Sequence, residues 1–357
     1  MKIILLLVLS ISLYSASDTQ DDCTSNIICG IAGRIWLSTF EFNISTMPED
    51  CGLFLVGQFA FDRGDDVDSR FMESDKNIVT TLTSAGKIVY TRIGFQYNDN
   101  WPSVFEADVK STDYKTEIID PLVTFLNAYN ISGVIINMRY VYDGHTDYPQ
   151  KMSTFVTKIK QSVKHDLNFG LELNSWSYAN FSCSECFDFS ITNSVLDLYI
   201  IDFYMLNICD SDGKQYGLAP ITCQNPNMTT MEQVTAAITN SSMDQSKIYC
   251  LLGSSVYLPE DQSINDKQIT TFSTYCSSSN SSSSNSSQWC ANPSELSYQQ
   301  GQYAKKHYKG LVTRTLDADD YNNSCNCGLF PVTNLFISGW KSTSLTPCAS
   351  IDQMTKS

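Results

Sequence analysis

The chain has 357 residues, 42% of them hydrophobic and 12% aromatic, enough for a packed interior and incompatible with global disorder. Its formal net charge of −15 excludes binding to nucleic acid or an anionic membrane by bulk attraction. Thirteen cysteines with three histidines, and no paired-knuckle spacing, favour disulfides over a zinc site.

In chain order, Met1-Lys2 leads an apolar run from Ile3 to Leu9, then Ser15-Ala16-Ser17 and a polar stretch. A positive start, an apolar segment and small residues at a cut site are a secretory signal peptide, placed at 1–17. The apolar run is short for a bilayer span, and no later stretch is apolar enough to cross one. Residues 18–357 are expected to form one exported, disulfide-bonded domain. Strand-like segments follow at 29–36, 52–61, 88–94, 133–140, 168–176, 196–206, 248–254 and 310–316. Helical stripes alternate with them. Leu122, Phe125, Leu126 and Tyr129 follow Pro121, which sets a helix start at Asp120. Phe155, Val156, Ile159 and Val163 form a second stripe, and Thr229 with Glu232 reads as a capping box for a third. Eight strands alternating with helices predict an α/β fold, a closed (β/α)8 barrel. The alternative, an open doubly wound sheet, announces itself with a Gly-rich turn after its first strand, which is missing here.

Residues 277–287 are almost only Ser and Asn and are bracketed by Cys276 and Cys290, which predicts a glycosylated loop (276–290) tied at its base. Sequence proximity pairs Cys183 with Cys186, Cys209 with Cys223, Cys276 with Cys290, and Cys325 with Cys327. The odd total leaves at least one thiol or an intermolecular bond, and the candidate thiol is Cys250 in the apolar run 248–252. Sequons stand at Asn43, Asn130, Asn180, Asn227, Asn240, Asn280, Asn285 and Asn322.

The segment Ile131-Ser132-Gly133-Val134-Ile135-Ile136-Asn137-Met138-Arg139-Tyr140 resembles the fourth strand of family 18 chitinases, Asp-Gly-x-Asp-x-Asp-x-Glu followed by Tyr. Gly133 and Tyr140 match, while the four acidic positions fall on Ser132, Ile135, Asn137 and Arg139. Other segments resemble the family in the same order: Phe59-Ala60-Phe61, Arg92-Ile93-Gly94-Phe95, Asp202-Phe203-Tyr204-Met205, residues 247–257, and 310–321 with Asp317, Asp319, Asp320 and Tyr321. The resemblance runs from about Cys29 to Leu335 and implies a Cys29–Cys51 disulfide. It places Arg314 where the family has a barrel-floor Trp, and the family's α+β insertion after strand seven is expected to be missing from this sequence.

Strand alternation sends Val134, Ile136 and Met138 toward the helices, and Ile135, Asn137 and Arg139 into the barrel. The same rule turns Leu198, Ile200, Asp202, Tyr204, Val312, Arg314, Arg92 and Gly94 inward. The expected ligand-facing set at the C-terminal mouth is therefore Arg92, Asn137, Arg139, Asp202, Tyr204 and Arg314, with Trp101 and Trp176 on the following loops. The tryptophans either stack on sugar rings or pack their loops. The arginines either pair with Asp202, Glu172 and Asp317, or form an anion site for a sulfated, phosphorylated or carboxylated sugar. His145 is read as a loop residue.

Glycoside hydrolysis needs a carboxylic acid at the leaving oxygen. Arg139 has no such proton to give, and loss of general acid catalysis costs about 10²–10⁴-fold. The expectation is a secreted, non-catalytic chitinase-like protein binding chito-oligosaccharides or related glycans, without cofactor or metal. Two alternatives are an extracellular growth-factor-like or immune-modulating protein that meets a protein receptor, and an active chitinase with displaced residues.

Overall fold

The computed structural model describes residues 26–33, 43–63, 70–95, 100–105, 118–138, 146–183, 186–204, 206–257, 269–279 and 289–353. Eight parallel strands close into a barrel: β1 (Ile27–Ile31), β2 (Leu53–Ala60), β3 (Ile88–Gly94), β4 (Gly133–Met138), β5 (Asn168–Asn174), β6 (Leu198–Asp202), β7 (Ile248–Gly253) and β8 (Gly310–Arg314). Each pairs with its sequence neighbours, and β8 closes on β1. Helices return the chain between strands: α1 (Glu73–Ser84), α2 (Asp120–Ala128), α3 (Tyr148–Ser162), α4 (Phe189–Thr192), α5 (Met231–Thr239), α6 (Ser294–His307) and, after β8, α7 (Pro331–Lys341). The expected (β/α)8 fold is thus observed.

The alternation works as read from the sequence. Val134, Ile136 and Met138 join the outer core between strands and helices, in one cluster with Phe125, Phe155 and Ile159. Ile28, Leu55, Tyr90, Ile135, Leu198, Ile200, Leu251 and Val312 form a separate cluster inside the barrel. Two inward glycines make room for aromatic rings in that cluster: a Cβ on Gly133 would run into the Tyr90 ring, and one on Gly310 into Tyr249. On β2 the parity is reset by a register shift between Val56 and Gln58, at Gly57 with φ +58°. The extra residue turns Gln58 into the lumen and Phe59 outward, where a simple alternation would do the reverse.

Helix α2 starts at Asp120 with Pro121 in its first turn, as the sequence indicates. The capping box of α5 sits one residue later than expected. Thr230 caps Gln233, and the Gln233 side chain accepts from the Thr230 N–H at 2.9 Å. Thr229 is unavailable for this role because its N–H donates to Asn207 Oδ1 at 2.8 Å. Between β7 and β8 the described residues form a two-stranded ribbon, Val256–Tyr257 with Ile269–Thr270, then a helix at Phe272–Ser279 and α6.

Among the described residues five disulfides are formed: Cys29–Cys51, Cys183–Cys186, Cys209–Cys290, Cys276–Cys325 and Cys327–Cys348. The first two agree with expectation. The pairings Cys209–Cys223, Cys276–Cys290 and Cys325–Cys327 are corrected. Loops that follow successive barrel strands meet at one end of the barrel, so cysteines far apart in sequence find each other there. Cys250 is a buried free thiol as expected, and Cys223 is a second, partly exposed one. The signal segment 1–17, Arg139, His145, Asn280 and Asn285 lie outside the described residues. No helix among the described residues is long and apolar enough to cross a membrane.

Candidate functional site

At the C-terminal ends of the strands the lumen changes from apolar to charged. Arg92 from β3 is 6% exposed, and its Nε donates to Glu172 Oε2 from β5 at 2.8 Å. The Nη2 of Arg92 is buried without a hydrogen-bond partner among the described residues. Arg314 from β8 donates through Nη1 to Asp202 Oδ2 from β6 at 3.1 Å. The Arg314 guanidinium lies 4.2 Å from the centroid of the Tyr204 ring, which in turn stacks on Tyr257 at 6.1 Å. Asp202 Oδ1 accepts from the Tyr204 N–H at 3.0 Å, so both carboxylate oxygens are engaged.

Burial pushes the Asp202 carboxyl up to about 7, against the opposing pull of Arg314 and with further repulsion from Glu172. Burial also disfavours the Arg314 charge, but Tyr204, Asp202, Glu172 and Tyr257 around it outweigh that and hold its pKa above the usual value. Tyr257 is pushed up, first by burial. The Asp202 carboxyl is therefore harder to ionise than an exposed one. It has the acidity of a proton donor, yet releasing its ion pair is the condition for using it.

Arg92 and Arg314 thus take the paired arrangement, with Glu172 and Asp202 as partners. Asp317 does not take part. It accepts from the backbone N–H groups of Ala32 at 2.9 Å and Gly33 at 3.0 Å, tying the end of β1 to the turn after β8. Asp319 and Asp320 are spent similarly, on the N–H groups of Thr333 and Cys325 at 2.8 and 2.7 Å.

On β4, Ile135 is fully buried in the apolar lumen cluster. Ser132 precedes the strand at its N-terminal end and makes backbone bonds to Val89 and Asn168. Asn137 is half-buried, beside Gly94, where a Cβ would come within 3.2 Å of Gln58 Nε2 and 3.4 Å of Asn137 O. Gln58 and Tyr257 are mouth residues that sequence reading missed. The β2 bulge at Gly57 is the signal for the first, and the second follows β7 by a short turn.

The two tryptophans part company. Trp101 is fully buried, stacked on Phe105 at 5.3 Å with Phe61 and Phe95 at its edges, and offers no platform to a ligand. Its place on a sugar-facing loop is corrected: Trp101 opens a short helix, Trp101–Phe105, and rings from that helix and from the ends of β2 and β3 draw it into the core. Trp176 is 52% exposed and lines a lateral cleft of about 410 Å³ together with Tyr178, Asn207, Ile208 and Asn227.

The chain is a closed (β/α)8 barrel with polar side chains gathered at its C-terminal mouth, a fold that it shares with solved chitinases. No family model matches the sequence, and no curated protein matches it. Among solved structures it is similar to catalytic domain 2 of the Group II chitinase of Ostrinia furnacalis, at 13% identity and TM-score 0.69 over 91% of this chain and 99% of that one. It is similar to human YKL-39, described as a pseudo-chitinase with retained chitooligosaccharide binding, at 11% identity and TM-score 0.66 over 88% and 99%. It is also similar to an immunomodulatory active chitinase from Trichuris suis, at 15% identity and TM-score 0.67 over 88% and 99%. At these identities the likeness establishes the fold.

Proposed function

We propose that this is an exported, glycosylated, non-catalytic chitinase-like protein that binds chito-oligosaccharides at the barrel mouth. The observation that carries the reading is on β4. The positions that resemble the family's acidic motif hold Ser132, Ile135, Asn137 and Arg139. Ile135 belongs to the apolar packing of the lumen, and the nearby carboxylates Glu172 and Asp202 are held by arginines. Hydrolysis of a glycoside calls for a free acid and a second group that stabilises positive charge, and neither role is filled by these residues. Five disulfides and the leader-like start support export. A mouth in which Arg314, Tyr204 and Tyr257 already stack on one another favours one second reading, a barrel that serves as scaffold for contact with an extracellular receptor.

A fluorogenic chito-oligomer assay with calorimetric titration of chitotetraose tests both. Binding without turnover is expected. Absence of any glycan binding favours the scaffold, and turnover that vanishes in Asp202→Ala overturns the non-catalytic reading. Sulfated chito-oligomers are expected to bind no better than neutral ones, because Arg92 and Arg314 are already paired.

A further inference from the structure

The cleft beside Trp176 opens beyond the ends of β5 and β6, to one side of the ion-paired mouth. Its volume of about 410 Å³ falls in the range of small-molecule sites, roughly 300–1,000 Å³. Trp176 and Tyr178 supply aromatic surface, while the Asn207 amide is spent on the backbone of Thr229 and Leu218. Asn227, which also lines it, is exposed and begins the sequon Asn227-Met228-Thr229.

That asparagine is held at the rim by more than chain connectivity. Its N–H donates to Asn225 Oδ1 at 3.0 Å, and Asn225 Nδ2 donates to Asp212 Oδ2 at 2.8 Å across the cleft wall. Asn207 then pairs with both backbone groups of Thr229, at 2.8 and 2.9 Å, while Met228 is buried between them. A sugar attached to Asn227 therefore starts from a fixed point on the edge of an aromatic-lined cleft. N-acetylglucosamine has a C–H face suited to an indole ring, so the first sugar of an N-glycan matches the aromatic part of the lining.

We infer that the N-glycan on Asn227 folds back into this cleft and covers Trp176, so that the chain carries its own N-acetylglucosamine ligand there and excludes free oligosaccharide from that side of the mouth. This rests on the exported, glycosylated reading above. The attachment shields a half-exposed Trp, and occupancy of the sequon sets how much of the surface beside the barrel mouth is open to other sugars.

The test uses the full chain secreted from a glycosylating eukaryotic host. Peptide mass spectrometry reads sequon occupancy, and acrylamide quenching, taken as the difference from a Trp176→Phe variant, reads Trp176 exposure. Asn227 is expected to be occupied, and Trp176 quenching is expected to rise in both Asn227→Gln and Thr229→Ala. It should stay unchanged in Thr229→Ser, which keeps the sequon, and in Asn240→Gln at the far end of α5. Other sequons occupied with Asn227 empty, or Trp176 quenching unmoved by loss of the Asn227 glycan, would overturn the inference and leave the exported reading standing. A secreted chain with no sugar at any sequon would sink the glycosylated reading along with it.

Discussion

The floor and the mouth of the barrel lumen are built by one alternation and held by different physics. On the floor, Ile28, Leu55, Ile135, Leu198, Ile200, Leu251 and Val312 are all at most 5% exposed and stabilise the barrel by filling space. One turn higher, the inward positions carry charge, which is tolerated in a buried setting only in pairs. Both pairs reach across an intervening strand. Arg92 and Glu172 bridge over β4, where Asn137 stands inward, and Arg314 and Asp202 bridge over β7, where Gly253 stands. A small or polar residue on the strand between leaves the crossing open. Apolar layers are thus specified residue by residue, whereas the charged layer is specified only by combinations of three strands.

The sharpest break of this contrast is Glu172→Ala, which strands Arg92 in the lumen and should cost about 3–5 kcal/mol in urea unfolding. The double variant Arg92→Met with Glu172→Leu should recover most of that loss, because it extends the floor's chemistry into the mouth. If the single and double variants unfold alike, the pair is not what holds this level together. On the floor itself, Ile135→Ala removes buried methyl groups from a filled layer and should cost ~2–5 kcal/mol, with no companion change able to restore it by charge.

The third prediction concerns pH. Asp202 is held at about 7, and Asp317 and Asp319 at about 6, in each case first of all by burial. The folded chain therefore binds these protons more tightly than the unfolded one. The stability they contribute is complete below about pH 4 and is lost as pH rises through 6 and 7. The thermal midpoint should accordingly fall between pH 5 and pH 8. Asp202→Asn should flatten that slope by on the order of 3 kcal/mol, and an equal slope in the variant would assign it to other groups. Smallest in energy is a labelling contrast. Maleimide should modify Cys223 in the native protein and Cys250 only after denaturation, since the Cys250 thiol is fully buried and its pKa is pushed up by that burial.

Much of the barrel was legible because strand periodicity is a local property. Ile88–Gly94 is the strand the sequence predicts to the residue, and the in-or-out assignment of residues 134–138 holds. The partners Glu172 and Asp202 were among the candidates for the arginines, but Asp317 looked equally suitable. Nothing in the sequence tells that its oxygens face two backbone N–H groups at the end of β1. Trp101 was misplaced for a related reason: loop position argues for exposure, while three neighbouring aromatic rings decide burial. Disulfide partners were the least readable, since they depend on which loops the closed barrel brings together.

Those cross-links have a further consequence for the Ser/Asn-rich run between Cys276 and Cys290. Cys276 is bonded to Cys325 and Cys290 to Cys209, so each side of the run is fastened to the opposite fragment. A protease that cuts between them separates nothing: the two pieces remain one covalent molecule, migrating apart on a gel only after reduction. An extracellular life among proteases would leave such a chain nicked and still whole.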